Sequence, residues 1–327
     1  MGKPFYLAPM AELSHRALRE LIEDFGGCDE YFTEMISAPA FLAGGPFEKW
    51  YIDTGPVPKK CVFQLLGSDS QVLARAAGQL DKLECAGIDI NMGCSAPIIR
   101  KSGAGAAWMA NIDRVGELIS LVRPQVKHRL SVKLRIGFKE DFDYLAQFCR
   151  RLQEEGVELL TLHPRTVMEK FKRTARWDYV HRLKQELKIP VAGNGDIANA
   201  DDLIRRENGF CDAVMVGRAA VRHPWIFSQA RKEEVGLRFS GREQLPYKEI
   251  GLCFSGREQL PYKEVGLRFL ELLARFQPQE FHISRARRFF GFYCDNLEFG
   301  NYLKNQLNKE ETLLGIEKVW KDFFLTI

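Results

Sequence analysis

No stretch of this 327-residue chain approaches the roughly 20 consecutive apolar residues that a membrane-spanning helix needs, which argues against a membrane-embedded protein. The eight cysteines, at 28, 61, 85, 94, 149, 211, 253 and 294, form no CxxC pair and no Cys/His cluster at zinc spacing. That scatter argues against a structural metal and suits reduced thiols. Charge of one sign is also missing: 47 basic residues face 43 acidic ones, a net charge of +4 that permits a nucleic-acid partner without demanding one. The chain runs into strand-like sequence almost at once, leaving no room for a signal peptide, so it is expected in the cytoplasm, and it is read as a monomer. A hydrophobic content of 46% and a charged content of 28% are ordinary for a soluble globular protein.

What is present is a rhythm. Apolar, β-branched runs at 5–9, 31–35, 61–65, 88–92, 131–135, 159–163, 190–193 and 213–217 alternate with helical patterns at 14–25, 70–83, 112–122, 141–154, 177–185 and 200–206. Ser14 and Asn199 stand where helix N-caps belong, and Gly26, Gly87 and Gly156 follow helix ends. Several runs are apolar throughout, as parallel strands covered on both faces should be. Eight such strands with helices between them predict an α/β fold of (β/α)8 TIM-barrel type. A doubly wound sheet is the alternative, but no switch point is visible.

Beyond residue 235 the pattern changes. Residues 236–250 (GLRFSGREQLPYKEI) and 251–265 (GLCFSGREQLPYKEV) are a tandem duplication differing at two positions. Two short copies are too few for a solenoid and read as a lengthened interdomain connection. From 266 to 327 helical periodicity dominates, which predicts an all-α domain. In it Arg285, Arg287 and Arg288 lie beside aromatic residues, a combination that can follow a phosphate backbone or form a solvated helix face. The domains expected are thus a barrel over 1–235, the connection over 236–265 and a helical domain over 266–327.

The most informative motif is Asp89-Ile90-Asn91-Met92-Gly93-Cys94, followed by Ser102-Gly103-Ala104-Gly105-Ala106. It places a thiol in a glycine turn just after a strand, where it can donate a proton or attack an electrophile. Taken alone, Cys94 reads better as a small buried apolar residue. In a barrel, however, active sites lie at the carboxyl ends of the strands. The other strand ends present Pro9-Met10-Ala11, Glu34, Gln64, Lys133 with Arg135, His163 with Arg165, Asn194-Gly195-Asp196 and Gly217-Arg218. Polar residues on every strand end are hard to explain as packing, and a lone Lys133 inside a strand calls for an anionic partner. The glycine turns ending strands seven and eight are where phosphate-binding barrels hold an anion, whether a flavin mononucleotide or a phosphorylated substrate.

On these stretches, together with Phe63-Gln64-Leu65, Val132-Lys133-Leu134-Arg135 and Leu162-His163-Pro164-Arg165-Thr166, the chain resembles the tRNA-dihydrouridine synthases. These are FMN-dependent enzymes that reduce uridine in tRNA, and the NMGC and SGAGAA forms look closest to the family's bacterial B branch. Ser95 departs from the family's usual proline after the cysteine, and Pro164 from its more frequent glycine. The resemblance implies that Cys94 is the proton donor to uracil and that NADPH is the external reductant. It implies that Pro9, Met10, Ala11 and Gln64 contact the flavin ring. Lys133 and His163 would meet the ring or its ribityl chain, and Asn194, Gly195, Asp196, Gly217 and Arg218 the phosphate end. Asn91 and Arg135 are candidates for orienting the uracil, and Arg165, Arg285, Arg287 and Arg288, with Lys170, Lys172, Arg173 and Arg176, for gripping tRNA phosphates. Another FMN barrel acting on a small molecule would lack the arginine-bearing tail, and a non-catalytic RNA-binding module would have no reason to keep Cys94, Lys133 and His163 together.

Overall fold

The structure, a computed structural model, describes residues 2–209, 211–231 and 262–325. Nine parallel strands form one sheet: β1 Phe5–Leu7, β2 Glu30–Phe32, β3 Ile36–Ser37, β4 Cys61–Leu66, β5 Gly87–Met92, β6 Arg129–Arg135, β7 Leu159–His163, β8 Val191–Asn194 and β9 Ala213–Val216. β1 pairs with both β2 and β9, and β2 pairs with β4, so eight strands close into a ring. The two-residue β3 hangs on β4. The fold is a TIM barrel followed by C-terminal helices.

The alternation along β5 and β6 explains why the strands looked apolar yet carry chemistry. Ile88, Ile90, Met92, Leu130, Val132 and Leu134 are buried in the core. The residues between them, Asp89, Asn91, Ser131, Lys133 and Arg135, share the opposite face. Asp89 is in register with Gln64 on one side and Ser131 on the other, and Asn91 with Lys133. The result is a polar column inside the barrel.

Helix starts in the barrel are fixed by side-chain caps. Asp69, Asn111 and Asp141 each accept from a backbone N–H of the first turn of helices Ser70–Leu80, Ile112–Val122 and Phe142–Glu154. Two boundary expectations are corrected. Ser14 is not an N-cap: His15 holds that position for Arg16–Glu23, and the Ser14 hydroxyl accepts instead from Met10 N. Gly87 does not follow a helix but opens β5, where a Cβ would lie 2.5 Å from Arg129 O.

The chain divides into two compact units. One contains residues 1–9, 29–197 and 202–217, and so holds every strand; the other contains 10–28, 198–201 and 218–327. In the second, helices Arg16–Glu23, Tyr262–Phe276, Gln279–Tyr293, Gly300–Leu307 and Leu313–Phe323 enclose an aromatic core. Phe269 stacks on Phe289 with ring centroids 3.7 Å apart, and Phe290 lies 4.6 Å from Trp320. A buried ion pair, Arg268 Nε to Asp24 Oδ2 at 2.8 Å, ties the first of these helices to the second. The expected duplication lies outside the described residues except for 262–265, which open the helix Tyr262–Phe276. Among the described residues no helix is long and apolar enough to cross a membrane.

Candidate active site at the carboxyl ends of the strands

The turn after β5 fixes Cys94 from every side. Asn91 Oδ1 accepts from both Gly93 N (3.1 Å) and Cys94 N (2.9 Å). Arg135 Nε donates to Gly93 O at 3.0 Å, and Ala106 N donates to Cys94 O at 3.0 Å. That last bond explains the glycine-rich stretch. Gly105 adopts φ +59, and a Cβ there would sit 2.9 Å from Cys94 O and 3.0 Å from Cys94 Cβ. Only glycine lets this segment close onto the cysteine turn without strain. Of the seven cysteines among the described residues, six are buried and Cys94 alone is partly exposed.

Beneath the turn runs a chain of side-chain hydrogen bonds. Ser131 Oγ donates to Asp89 Oδ1 at 2.7 Å, Gln64 Nε2 donates to Asp89 Oδ2 at 2.7 Å, and Asn91 Nδ2 donates to Gln64 Oε1 at 2.8 Å. Asp89 and Gln64 are fully buried, and Asn91 is only 6% exposed. Each of the two amides is thus engaged by protein both through one N–H and through its carbonyl oxygen. Asp89 is the participant that sequence reasoning passed over. Its signal was an acid at the centre of an apolar strand.

Lys133 stands on β6 beside Asn91, partly buried, and its ammonium makes no hydrogen bond among the described residues. Burial and then the Arg135 charge pull its pKa down to about 8, against the opposing pull of Asp89 and Cys94. Burial pushes the Asp89 carboxyl up to about 6, although the Ser131 and Gln64 hydrogen bonds resist. Arg135 is brought down to about 10 by burial and by Arg165. Its guanidinium also donates to Thr166 O and Lys170 O, so Arg135 fastens loops as well as facing the site.

Around β7 and β8 a second cluster forms. Arg165 donates to His163 Nε2 at 3.0 Å, to Asp196 Oδ1 and to Arg173 O. It is 3% exposed, which corrects its expected place on a phosphate-gripping rim. A charge so enclosed braces His163 and Asp196 rather than meeting a solvated backbone. Asp196, at φ +51, also accepts from Ala175 N, and Asn194 Nδ2 donates to Met215 O at 2.8 Å. Gly195, at φ +131, turns the chain where a Cβ would come within 3.1 Å of His163. Pro9 and Gly217 are half-buried at the ends of β1 and β9. Met10, Ala11 and Arg218 belong to the second unit.

The rim carries exposed Lys170, Lys172 and Arg173 in a loop, whereas Arg176 is locked by two hydrogen bonds to Glu169 and an ion pair to Glu140. In the second unit the three-arginine face is corrected. Arg288 is exposed and Arg287 half-buried, but Arg285 is 2% exposed and packs its guanidinium 4.5 Å from the Phe281 ring centroid. Among the described residues no three His, Cys, Asp or Glu side chains could hold a metal ion.

The chain is 34% identical over 241 residues to a "Probable tRNA-dihydrouridine synthase" of Aquifex aeolicus, covering 71% of this chain and 75% of that protein. It is 32% identical over 237 residues to a "tRNA-dihydrouridine(16) synthase" of Ralstonia nicotianae, covering 69% and 72%. To the "tRNA-dihydrouridine(16) synthase" of Neisseria meningitidis serogroup B it is 29% identical over 239 residues, covering 70% and 72%. The sequence pattern described as "Dihydrouridine synthase (Dus)" matches residues 6–315, and the chain therefore belongs to the dihydrouridine synthase family.

Proposed function

We propose that this protein reduces the C5–C6 double bond of uridine in tRNA to dihydrouridine, with FMN as its bound cofactor, NADPH as the reductant and Cys94 as the proton donor. The observation that carries the reading is the turn after β5: of the seven cysteines among the described residues one is left accessible, and the N–H and C=O groups of Gly93 and Cys94 are all fastened. A thiol so held can deliver a proton along a defined direction.

The residues present fit FMN on two counts. The Lys133 ammonium has no hydrogen-bond partner among the described residues, as a group awaiting an electron-rich acceptor would. The turn at Gly193–Gly195 lies where barrels bind phosphate, and a side chain at Gly195 would close it. In this reading Lys133 and His163 hold the flavin, with Asn194, Gly195 and Gly217 toward the phosphate. Gln64, Asn91, Arg165 and Asp196 act through the residues they brace. FMN bound there supplies the hydride that the conjugated ring of uracil accepts at the carbon β to its carbonyl. The thiol of Cys94 gives its proton to the adjacent carbon and is left as a thiolate, which recovers a proton from solvent. Lys133 holds positive charge beside this exchange. The uridine must leave its stack to reach the site, and exposed Lys170, Lys172 and Arg173 meet the phosphates that flank it.

The test is the purified protein with FMN, NADPH and unmodified tRNA, scored for dihydrouridine by mass spectrometry. Position 16, named in two of the relatives, is the first to map. The expected result is product with the wild type and none with Cys94→Ala, which still binds FMN and tRNA. A yellow, tRNA-binding wild type that yields no dihydrouridine at any position would overturn the proposal.

A further inference from the structure

We propose that Asp89, buried and out of reach of any substrate, is a positioning residue for Cys94: its carboxylate sets the direction of the Gln64–Asn91 hydrogen-bond chain that clamps the cysteine turn. The inference rests on the reading of Cys94 as the proton donor.

The argument is one of donors and acceptors. A carboxylate only accepts, whereas a primary amide has one accepting end and one donating end. With Ser131 donating to one oxygen of Asp89, the other must be met by a donor, so Gln64 turns its NH2 inward. Its carbonyl then faces Asn91 and demands a donor, so Asn91 turns its own NH2 toward Gln64. That leaves Asn91 Oδ1 pointing along the chain, where it takes the N–H groups of Gly93 and Cys94 together. Each choice forces the next. Reversing either amide would set two acceptors or two donors against each other in a dry interior, where an unmatched polar pair is heavily penalised. The register Gln64–Asp89–Ser131 across three neighbouring strands keeps the links within bonding distance. The remaining peptide groups of the turn are held independently, by Arg135 and by Ala106 N. The Asn91 clamp is the part of the fastening whose polarity is dictated from below.

The chain can be run backwards, which gives the test. Asn91→Asp alone replaces the donor facing Gln64 with an acceptor, so one link fails whichever way Gln64 turns. Asp89→Asn combined with Asn91→Asp restores every link in reverse: the new amide at 89 donates to Gln64, Gln64 donates to the new carboxylate at 91, and that carboxylate still accepts from the turn. Two readouts are taken on FMN-loaded protein: the alkylation rate of Cys94 by iodoacetamide, resolved from the other cysteines by peptide mass spectrometry, and single-turnover formation of dihydrouridine. Asn91→Asp is expected to slow dihydrouridine formation and to speed alkylation, each by about 10-fold or more, and the double variant to bring each rate most of the way back to wild type. A residue that only touched uracil would leave alkylation of the free enzyme unmoved, and a merely structural defect would worsen with the second substitution. Should Asn91→Asp fail to fold, Asn91→Ala removes the clamp outright and is expected to speed alkylation. Wild-type alkylation in Asn91→Ala, or a double variant no better than the single, overturns the inference. The alkylation arm stands even if wild-type enzyme forms no dihydrouridine, so the two proposals fail separately.

Discussion

Asp89 also titrates, and the consequence for stability can be worked through. Burial raises its carboxyl from an ordinary 3.8 to about 6 in the folded protein. An acid whose pKa is higher in the folded state stabilises that state below the unfolded value and loses the contribution as pH rises through the folded one. With those two values, the raised pKa costs the fold about 1–2 kcal/mol at pH 5 and about 3 kcal/mol at pH 7.5 relative to the fully protonated limit. Asp89→Asn is neutral throughout and can still meet Ser131 and Gln64 by turning its amide. Its stability relative to wild type should therefore rise by about 1–2 kcal/mol between pH 5 and pH 7.5. Urea unfolding of both proteins at several pH values across that interval measures the difference directly. A difference that stays flat with pH would mean that the carboxyl titrates as it does in the unfolded chain, and the polar column would then be open to water.

Three further outcomes are expected. Because the Lys133 pKa is about 8, its charge fades above that value, so FMN affinity should weaken from about pH 7 to about pH 9, and Lys133→Met should remove the dependence; flavin fluorescence titrations read both. Gly105→Ala places a Cβ against Cys94 in a left-handed backbone conformation and should cost about 1–3 kcal/mol in urea unfolding while slowing turnover; wild-type stability would refute the close approach. Arg288→Gln should lower the salt slope of tRNA binding by about 1 with stability unchanged, whereas Arg285→Gln, removing a buried guanidinium, should lower stability; the reverse assignment would mean that the helix presents its other face.

Eight strands were legible because parallel strands covered by helices leave apolar runs, and each of the eight strands of the ring overlaps its expected run, whereas the two-residue β3 was not expected. The short helices Ala38–Ala43, Glu48–Tyr51 and Pro97–Lys101 were not, since four to six residues complete too little of a 3.6-residue period to show one. Cys94, Lys133 and His163 were legible as polar residues on strand ends. What those residues face was not, because register decides it: Gln64 meets Asp89 and Asn91 only once β4 and β5 are aligned.

The arginines of the tail show the opposite case, where the sequence held more than was taken from it. An α-helix turns about 100° per residue, so Arg285 and Arg287 project about 200° apart and cannot lie on one face. Arg288 falls about 60° from Arg285 by the same count, yet Arg285 is enclosed beside Phe281 while Arg288 is exposed. Angle alone therefore rules out a three-arginine face but does not say which arginine turns inward. That choice is made by Phe289, Phe290 and Tyr293 on the same helix, which go into the core against Phe269 and Trp320 and carry the flank bearing Arg285 in with them. A guanidinium follows such a flank inward only because its planar faces pack on an aromatic ring, so the cluster that suggested RNA binding is for Arg285 the reason it is buried.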